Sequence, residues 1–324
     1  MLPIAQLIKL QDYISRYEWN TYRYPTQYIR LKNENWNKLY SVWMNSSLQE
    51  LAEPSEAELE SEQQMGKFSK LKAKLKRKQK EAESYPETDS DSEPEANQYA
   101  DLPETEEALK QYFLNKLIGH QMKWATSTVS STSFVDRNYY SDPLLKYLLQ
   151  GFPDTYLIMY FPIFAIKKAP IETEILLISP IAIEIVRFLE ENPNSVIMAG
   201  DERTWSIETG NEQKKILNPI IGLKRAERLV SSILASLSID FPIKKTILSR
   251  TNSIIFNTEP YNTRIAGKKD YADWFKEKRR LTSPLKNIQL KAAEALLKNC
   301  QTTSIKRPDW EKDDAPSTVS DLEE

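Results

Sequence analysis

The sequence predicts an α/β protein with a mixed central sheet flanked by helices, preceded by an N-terminal helical segment and a charged, disordered linker. Three observations carry that prediction. Short apolar runs rich in β-branched residues crowd positions 156–186, an amphipathic helix opens at Asn218-Pro219, and two more apolar runs follow at 244–249 and 253–256. Helix, three or more strands, helix and strand in that order describe an α/β layer with a mixed sheet.

The N-terminal segment, residues 1–48, is aromatic-rich. Ile4, Leu7, Ile8, Ile14 and Tyr17 fall close to one helical stripe. Pro25 has no N–H with which to continue a helix and is expected to break the pattern. A second helix is expected through Trp36, Leu39, Tyr40, Trp43 and Met44. Between them runs Arg16-Tyr-Glu-Trp-Asn-Thr-Tyr-Arg-Tyr24, with Tyr28 and Arg30 beyond. Arginines interleaved with aromatics suit stacking on bases and pairing with phosphates. The same residues suit a docking face for the rest of the chain or for a protein partner, and acidic Asp12, Glu18 and Glu34 favour docking.

Residues 49–105 form the linker. Lysines crowd 67–80, and 81–109 carry many carboxylates with no Lys or Arg. Too few apolar side chains remain to offset the entropy of ordering the backbone, so disorder is expected. The basic block suits electrostatic contact with nucleic acid, or pairing with its acidic neighbour.

An ordered domain is expected over 106–281. Thr105 followed by Glu106 and Glu107 starts a helix, and Asp142 before Pro143 caps another. Tyr156–Phe161 and Ile163–Ile166 read as strands broken at Pro162, which suits an edge or a bend. Runs at 174–179 and 181–187 follow, then shorter strands at 195–199 and around Trp205. From Pro219, residues Ile220, Leu223, Ala226, Val230, Ile233 and Leu237 line one helix face, with Lys224, Arg225 and Arg228 on the other. Residues 282–324 hold a last helix, Pro284–Leu297, and an acidic tail.

Composition narrows the function classes. Net charge is -2, so any basic surface is local. No apolar run approaches the roughly 20 residues of a membrane span, so no membrane partner is expected. Met1-Leu-Pro-Ile lacks a basic leader region, and the chain reads as cytoplasmic. His120 and Cys300 are single, which excludes an internal disulfide or a Cys/His zinc cage. Both read as structural residues. Seven glycines supply no Gly-x-x-x-x-Gly-Lys phosphate loop.

Ile171-Glu-Thr-Glu-Ile-Leu-Leu-Ile-Ser-Pro180, the strand after it, Trp205, and Asn218-Pro219 leading into a helix with Arg225 together resemble the nuclease-related domain (NERD) family of Gram-positive bacteria. Pro242 before a strand and Ile254-Ile-Phe256 extend the resemblance, which covers about residues 140–258. It implies a restriction-endonuclease-like core. In that superfamily carboxylates on successive strands bind Mg²⁺ through hard oxygens. A lysine two residues after the second carboxylate orients the water that the metal activates.

Carried over position by position, the first acid falls on Glu174, with Glu172 before it. The second falls on Arg187, the lysine on Leu189, and a glutamine common on the following helix on Gly222. Shifting the alignment makes Glu184 the second carboxylate but leaves Val186 at the lysine position. The expected reading is therefore a NERD-like protein with a degenerate catalytic motif. It would need no cofactor and act by binding: nucleic acid, DNA or RNA, through Arg187, Lys224, Arg225 and Arg228, or a protein through residues 1–48. One alternative is a Mg²⁺-dependent nuclease using Glu174 and Glu184 as catalytic and metal-binding groups, with Lys224 as an off-register lysine. Another is a scaffold with no nucleic-acid role.

Overall fold

Residues 4–50, 102–166, 169–200 and 203–307 are described by the computed structural model. The greater part of the expected linker, with its basic block, and the acidic tail beyond Arg307 lie outside the described residues. The chain forms two units, residues 1–33 with 110–324, and residues 34–109. In the smaller unit Trp43 donates its indole N–H to the Pro103 carbonyl (2.7 Å), and Tyr40 sits between Trp36 and Trp43 with ring centroids 5.6 and 5.8 Å apart.

The larger unit is built on a six-stranded sheet. Its strands are β1 (Gln6–Leu10), β3 (Leu157–Tyr160), β6 (Ile175–Ile178), β7 (Ile183–Phe188), β11 (Ile243–Leu248) and β13 (Thr263–Ala266), in that spatial order. β3, β6 and β7 form an antiparallel meander, while β11 and β13 continue parallel to β7 and β1 lies parallel to β3. Every residue of β1, β3 and β6 is buried. That double-sided burial explains their continuous apolar sequences, since a strand covered on both faces need not alternate. A mixed sheet flanked by helices is thus observed.

One face of this sheet packs against Leu145, Leu148 and Leu149 of α5 (Pro143–Gly151), Met122 of α3 (Glu106–Thr126) and Trp274 of α7 (Tyr271–Arg279). The single turn α4 (Asn138–Ser141) leads into α5. On the other face α6 (Pro219–Ser236) lies over β7 and β11 and touches α8 (Asn287–Lys298). Two of these helices begin with side-chain caps. Asp142 Oδ1 accepts from the N–H groups of Leu144 and Leu145 (2.8 and 3.1 Å), and Asn218 Oδ1 accepts from that of Ile220 (2.9 Å). Each satisfies donors that have no partner within the helix, and Pro at the first position loses nothing there.

A second, four-stranded sheet runs β10 (Glu212–Leu217), β9 (Thr204–Thr209), β8 (Val196–Met198) and β12 (Ser253–Ile255). β2 (Ser131–Thr132) pairs with β14 (Ile305–Lys306), and β4 (Ile163–Ile166) pairs with β5 (Ala169–Glu172). Among the described residues no helix is long and apolar enough to cross a membrane.

The N-terminus departs from expectation. The helical stripe over 4–17 is instead strand β1 followed by the four-residue helix α1 (Arg16–Trp19). In a five-residue run buried on both faces, apolar spacing cannot separate strand from helix. Pro25 does not break a helix either, because it lies in the first turn of α2 (Arg23–Glu50), where no N–H partner is required. The rings of Tyr17, Tyr24 and Tyr28 lie 6.0, 5.4 and 6.2 Å from that of Trp124, and all three tyrosines are buried. These aromatics serve the protein's own core.

β1 is an edge strand, and α3 closes it. Gln121 accepts from the Leu7 N–H (2.7 Å) and donates to the Ala5 carbonyl and the Tyr28 hydroxyl (both 2.8 Å). Gln121→Leu leaves the Leu7 N–H and the Ala5 carbonyl buried and unpaired, at about 1–3 kcal/mol each. Urea unfolding should show a loss of about 3 kcal/mol with the slope unchanged.

Candidate functional site

The β6–β7 register places the candidate charges. Ile175 stands opposite Val186 and Leu177 opposite Glu184, so Glu174, one residue before β6, falls opposite Arg187. Side chains alternate faces along a strand, and directly opposed residues share one. Glu174 and Arg187 therefore share the α6 face, and Glu184 points the other way, towards α7.

On the α6 face Arg187 Nη1 donates to both oxygens of Glu174, at 3.0 and 3.3 Å. Glu174 is nearly buried, whereas the Arg187 side chain is 44% exposed. α6 crosses this pair at Gly222, where a Cβ would stand 2.7 Å from Glu174 Oε1. A side chain at 222 could not share that space with the carboxylate as it stands. Arg225 reaches back from α6 to the Glu172 carbonyl (3.3 Å), fastening the helix to the end of β5. Lys224 and Arg228 are exposed. Lys224 also lines an open groove of about 650 Å³ together with Asn218, Ile221, Phe256 and the largely buried Trp205.

On the opposite face Glu184 is a junction of the core. Its carboxylate accepts from Thr246 Oγ1 (2.5 Å) and Trp274 Nε1 (2.8 Å) and pairs with Lys278 Nζ (2.6 Å). Those partners come from β11 and α7. One buried carboxylate thus ties two sheet strands to a helix, with each oxygen occupied.

Glu174 and Glu184 are therefore not brought together as the nuclease alternative requires. One binds a guanidinium and the other is enclosed by three donors on the far side of the sheet. A carboxylate already paired with a guanidinium is a poor ligand for Mg²⁺, which demands near-octahedral oxygen donors. The residues present do not fit that metal. Among the described residues no group of three or more His, Cys, Asp or Glu is placed to hold a metal ion. Burial pushes the Cys300 thiol up to about 12, outweighing the opposing charge of Lys9, so it is no ready nucleophile.

A further charged pair stands where β7 and β11 end. Arg250 Nε and Nη2 donate to the two oxygens of Glu190 (2.5 and 2.6 Å), and the Arg250 backbone N–H adds a third bond (3.2 Å). The guanidinium lies 4.6 Å from the Tyr147 ring centroid. The sequence does not reveal this pair, because sixty residues separate the two and no local pattern links them.

No protein-family model matches the chain, and no solved structure matches it. Among curated proteins it is similar to an RNA 2′,3′-cyclic phosphodiesterase of Geobacillus stearothermophilus, with 48% identity over 40 residues. The match spans 12% of this chain and 13% of that protein.

Two expectations follow. Glu184→Leu strands Lys278 beside Glu277 alone and should cost about 3 kcal/mol in urea unfolding, near the lower end for breaking a buried pair. For Glu190, desolvation acts to raise the carboxyl, but the side-chain and backbone hydrogen bonds and the charge of Arg250 overcome it, and the net shift is downward. A carboxylate held lower in the folded state stabilises it above the unfolded value, about 4.3, and loses that contribution as pH falls through the folded value. Glu190→Gln should thus be less stable than wild type at pH 7, and the gap should narrow as pH falls below the unfolded value, about 4.3, and through the lower folded one. A gap independent of pH would show that the pair is not the cause.

Proposed function

We propose that this chain is a NERD-like protein with a restriction-endonuclease-like core that no longer assembles a cleavage site, and that it acts by binding nucleic acid on the α6 side of the sheet. The succession α5, β3, β6, β7, α6 and β11 supports the core, since it follows the helix, three-strand, helix and strand order read from the sequence. The observation that carries the loss of cleavage is Arg187 opposite Glu174. It sets a guanidinium on the carboxylate that the resemblance assigns to the metal.

A guanidinium that is 44% exposed keeps donors for a phosphate while holding Glu174, and arginine suits that geometry better than lysine. Lys224 and Arg228 add exposed positive charge on the outward side of α6, away from Gly222 and the Glu174–Arg187 pair. Residues 203–307 carry more than twice as many Lys and Arg as Asp and Glu, in a chain of net charge -2. That local excess favours a polyanion as ligand. The short match to a protein named for an RNA substrate makes RNA the first ligand to try.

Binding of single-stranded RNA and duplex DNA, titrated with salt, tests the reading. Affinity should fall steeply as salt rises, and Lys224→Ala with Arg228→Ala should lower the logarithmic slope by about 0.7–0.9 for each phosphate left without its cation. Incubation with Mg²⁺ or Mn²⁺ should leave both substrates intact. Metal-dependent cleavage abolished by Glu174→Ala would refute the loss of activity, and the absence of salt-sensitive binding would refute the ligand.

A further inference from the structure

The groove beside Lys224 stands apart from the Glu174–Arg187 pair. Gly222 and Arg225 occupy the flank of α6 over Glu174 and the end of β5. Ile220, Ile221 and Lys224 line the groove from the outward side and the opposite flank. Its floor holds Trp205 of β9 and Ile265 of β13, the strand at one edge of the large sheet. Ile265 lies opposite Ile247, two residues from Lys245, whose ammonium pairs with Glu227 of α6, so it belongs to the α6 face. The far wall is the segment 256–260 that leads from β12 towards β13. A volume of about 650 Å³ lies within the roughly 300–1,000 Å³ of small-molecule sites.

The polar ends around this floor are unengaged. Lys224, Asn257 and Thr258 are exposed, and among the described residues none of their side chains has a hydrogen bond or an ion pair. No carboxylate stands among the described lining residues, so the ammonium meets no opposing charge there. An amide, a hydroxyl and a cation thus surround apolar surface from Trp205, Ile221, Ile265 and the half-buried ring of Phe256.

We propose that this groove seats one unpaired base of a nucleic-acid strand, with the adjoining phosphate on Lys224. The apolar floor and the Phe256 ring take the faces of the base, and Asn257 and Thr258 take its hydrogen-bonding edge. Arg228 is exposed one helical turn beyond Lys224, about 5–6 Å along α6, and is placed for the next phosphate. A base inside a duplex has its faces stacked and its edge paired, and cannot enter without leaving the helix. The chain is therefore a reader of single strands. This inference deepens the nucleic-acid reading above and rests on it.

Fluorescence anisotropy with the full chain tests it, using a labelled oligouridylate and an RNA duplex of equal length. The single strand should bind about tenfold tighter than the duplex. Phe256→Ala should weaken the single strand about tenfold and Ile221→Gln about threefold, both with the logarithmic salt slope unchanged, since neither removes a charge. Lys224→Ala should instead lower that slope by about 0.7. Ile221 is 41% exposed, so its replacement leaves the core intact and misfolding does not account for a loss there. Oligodeoxythymidylate separates the two sources of strand. Affinity equal to that of oligouridylate keeps the groove as a reader of base and phosphate, and weaker affinity adds the 2′-hydroxyl to what it reads. A duplex bound as tightly as the single strand would overturn the groove, as would affinity unchanged in both groove variants, and the nucleic-acid reading would survive either result. Uridine monophosphate binding as tightly as the oligomer would also overturn it, in favour of a free nucleotide. Absence of salt-sensitive binding to every probe would remove the nucleic-acid reading itself, and the groove with it.

Discussion

The antiparallel register of β6 and β7, with Ile175 opposite Val186, determines which side of the sheet each charged residue faces. It sets Glu174 beside Arg187 under α6 and turns Glu184 into the α7 layer. A slip of one residue would exchange the faces and bury Arg187 where Thr246, Trp274 and Lys278 now meet a carboxylate. The two layers of helix on this sheet depend on that register as much as on their apolar stripes.

The two glutamates show how one residue type takes on different tasks under different surroundings. Glu184 is enclosed, with a hydroxyl, an indole and an ammonium as partners, and its place is explained by cohesion of the core. Glu174 lies at the margin, held by a half-exposed arginine and overlain by a helix that approaches closely because residue 222 is glycine. Its surroundings leave a positive group facing outward, and charge presented to solvent is what a binding surface needs. The same arrangement withholds the carboxylate from a metal.

What was legible in the sequence was local chemistry. Thr105, Asp142-Pro143 and Asn218-Pro219 each announce a helix start through capping, and those helices begin where expected, with Asn218 and Asp142 bonding the first-turn N–H groups. The runs at 174–179 and 181–187 are strands for the reason read from them. Illegible were features whose cause lies far along the chain. β1 looks helical until β3, about 150 residues away, is known to cover it. β13 and α7 carry weak patterns of their own and are held by β11 and by Glu184. No spacing rule could tell that Glu174 and Glu184 face apart, because parity along the chain is reset by the antiparallel turn between them.

Open strand margins are where a folded protein risks recruiting copies of itself. The Gln121 side-chain amide occupies outward backbone groups of β1, presenting a neighbouring molecule with a margin already taken at Ala5 and Leu7. β10, the margin of the smaller sheet, is protected differently, by the exposed charges of Glu212, Lys214 and Lys215 along its length. The protein thus guards one border with a matched hydrogen-bonding group and another with charges that resist desolvation. A strand adding to β10 would have to strip water from Glu212, Lys214 and Lys215, whereas one adding to β1 would have to displace an amide already bonded, so the two margins resist pairing at different costs.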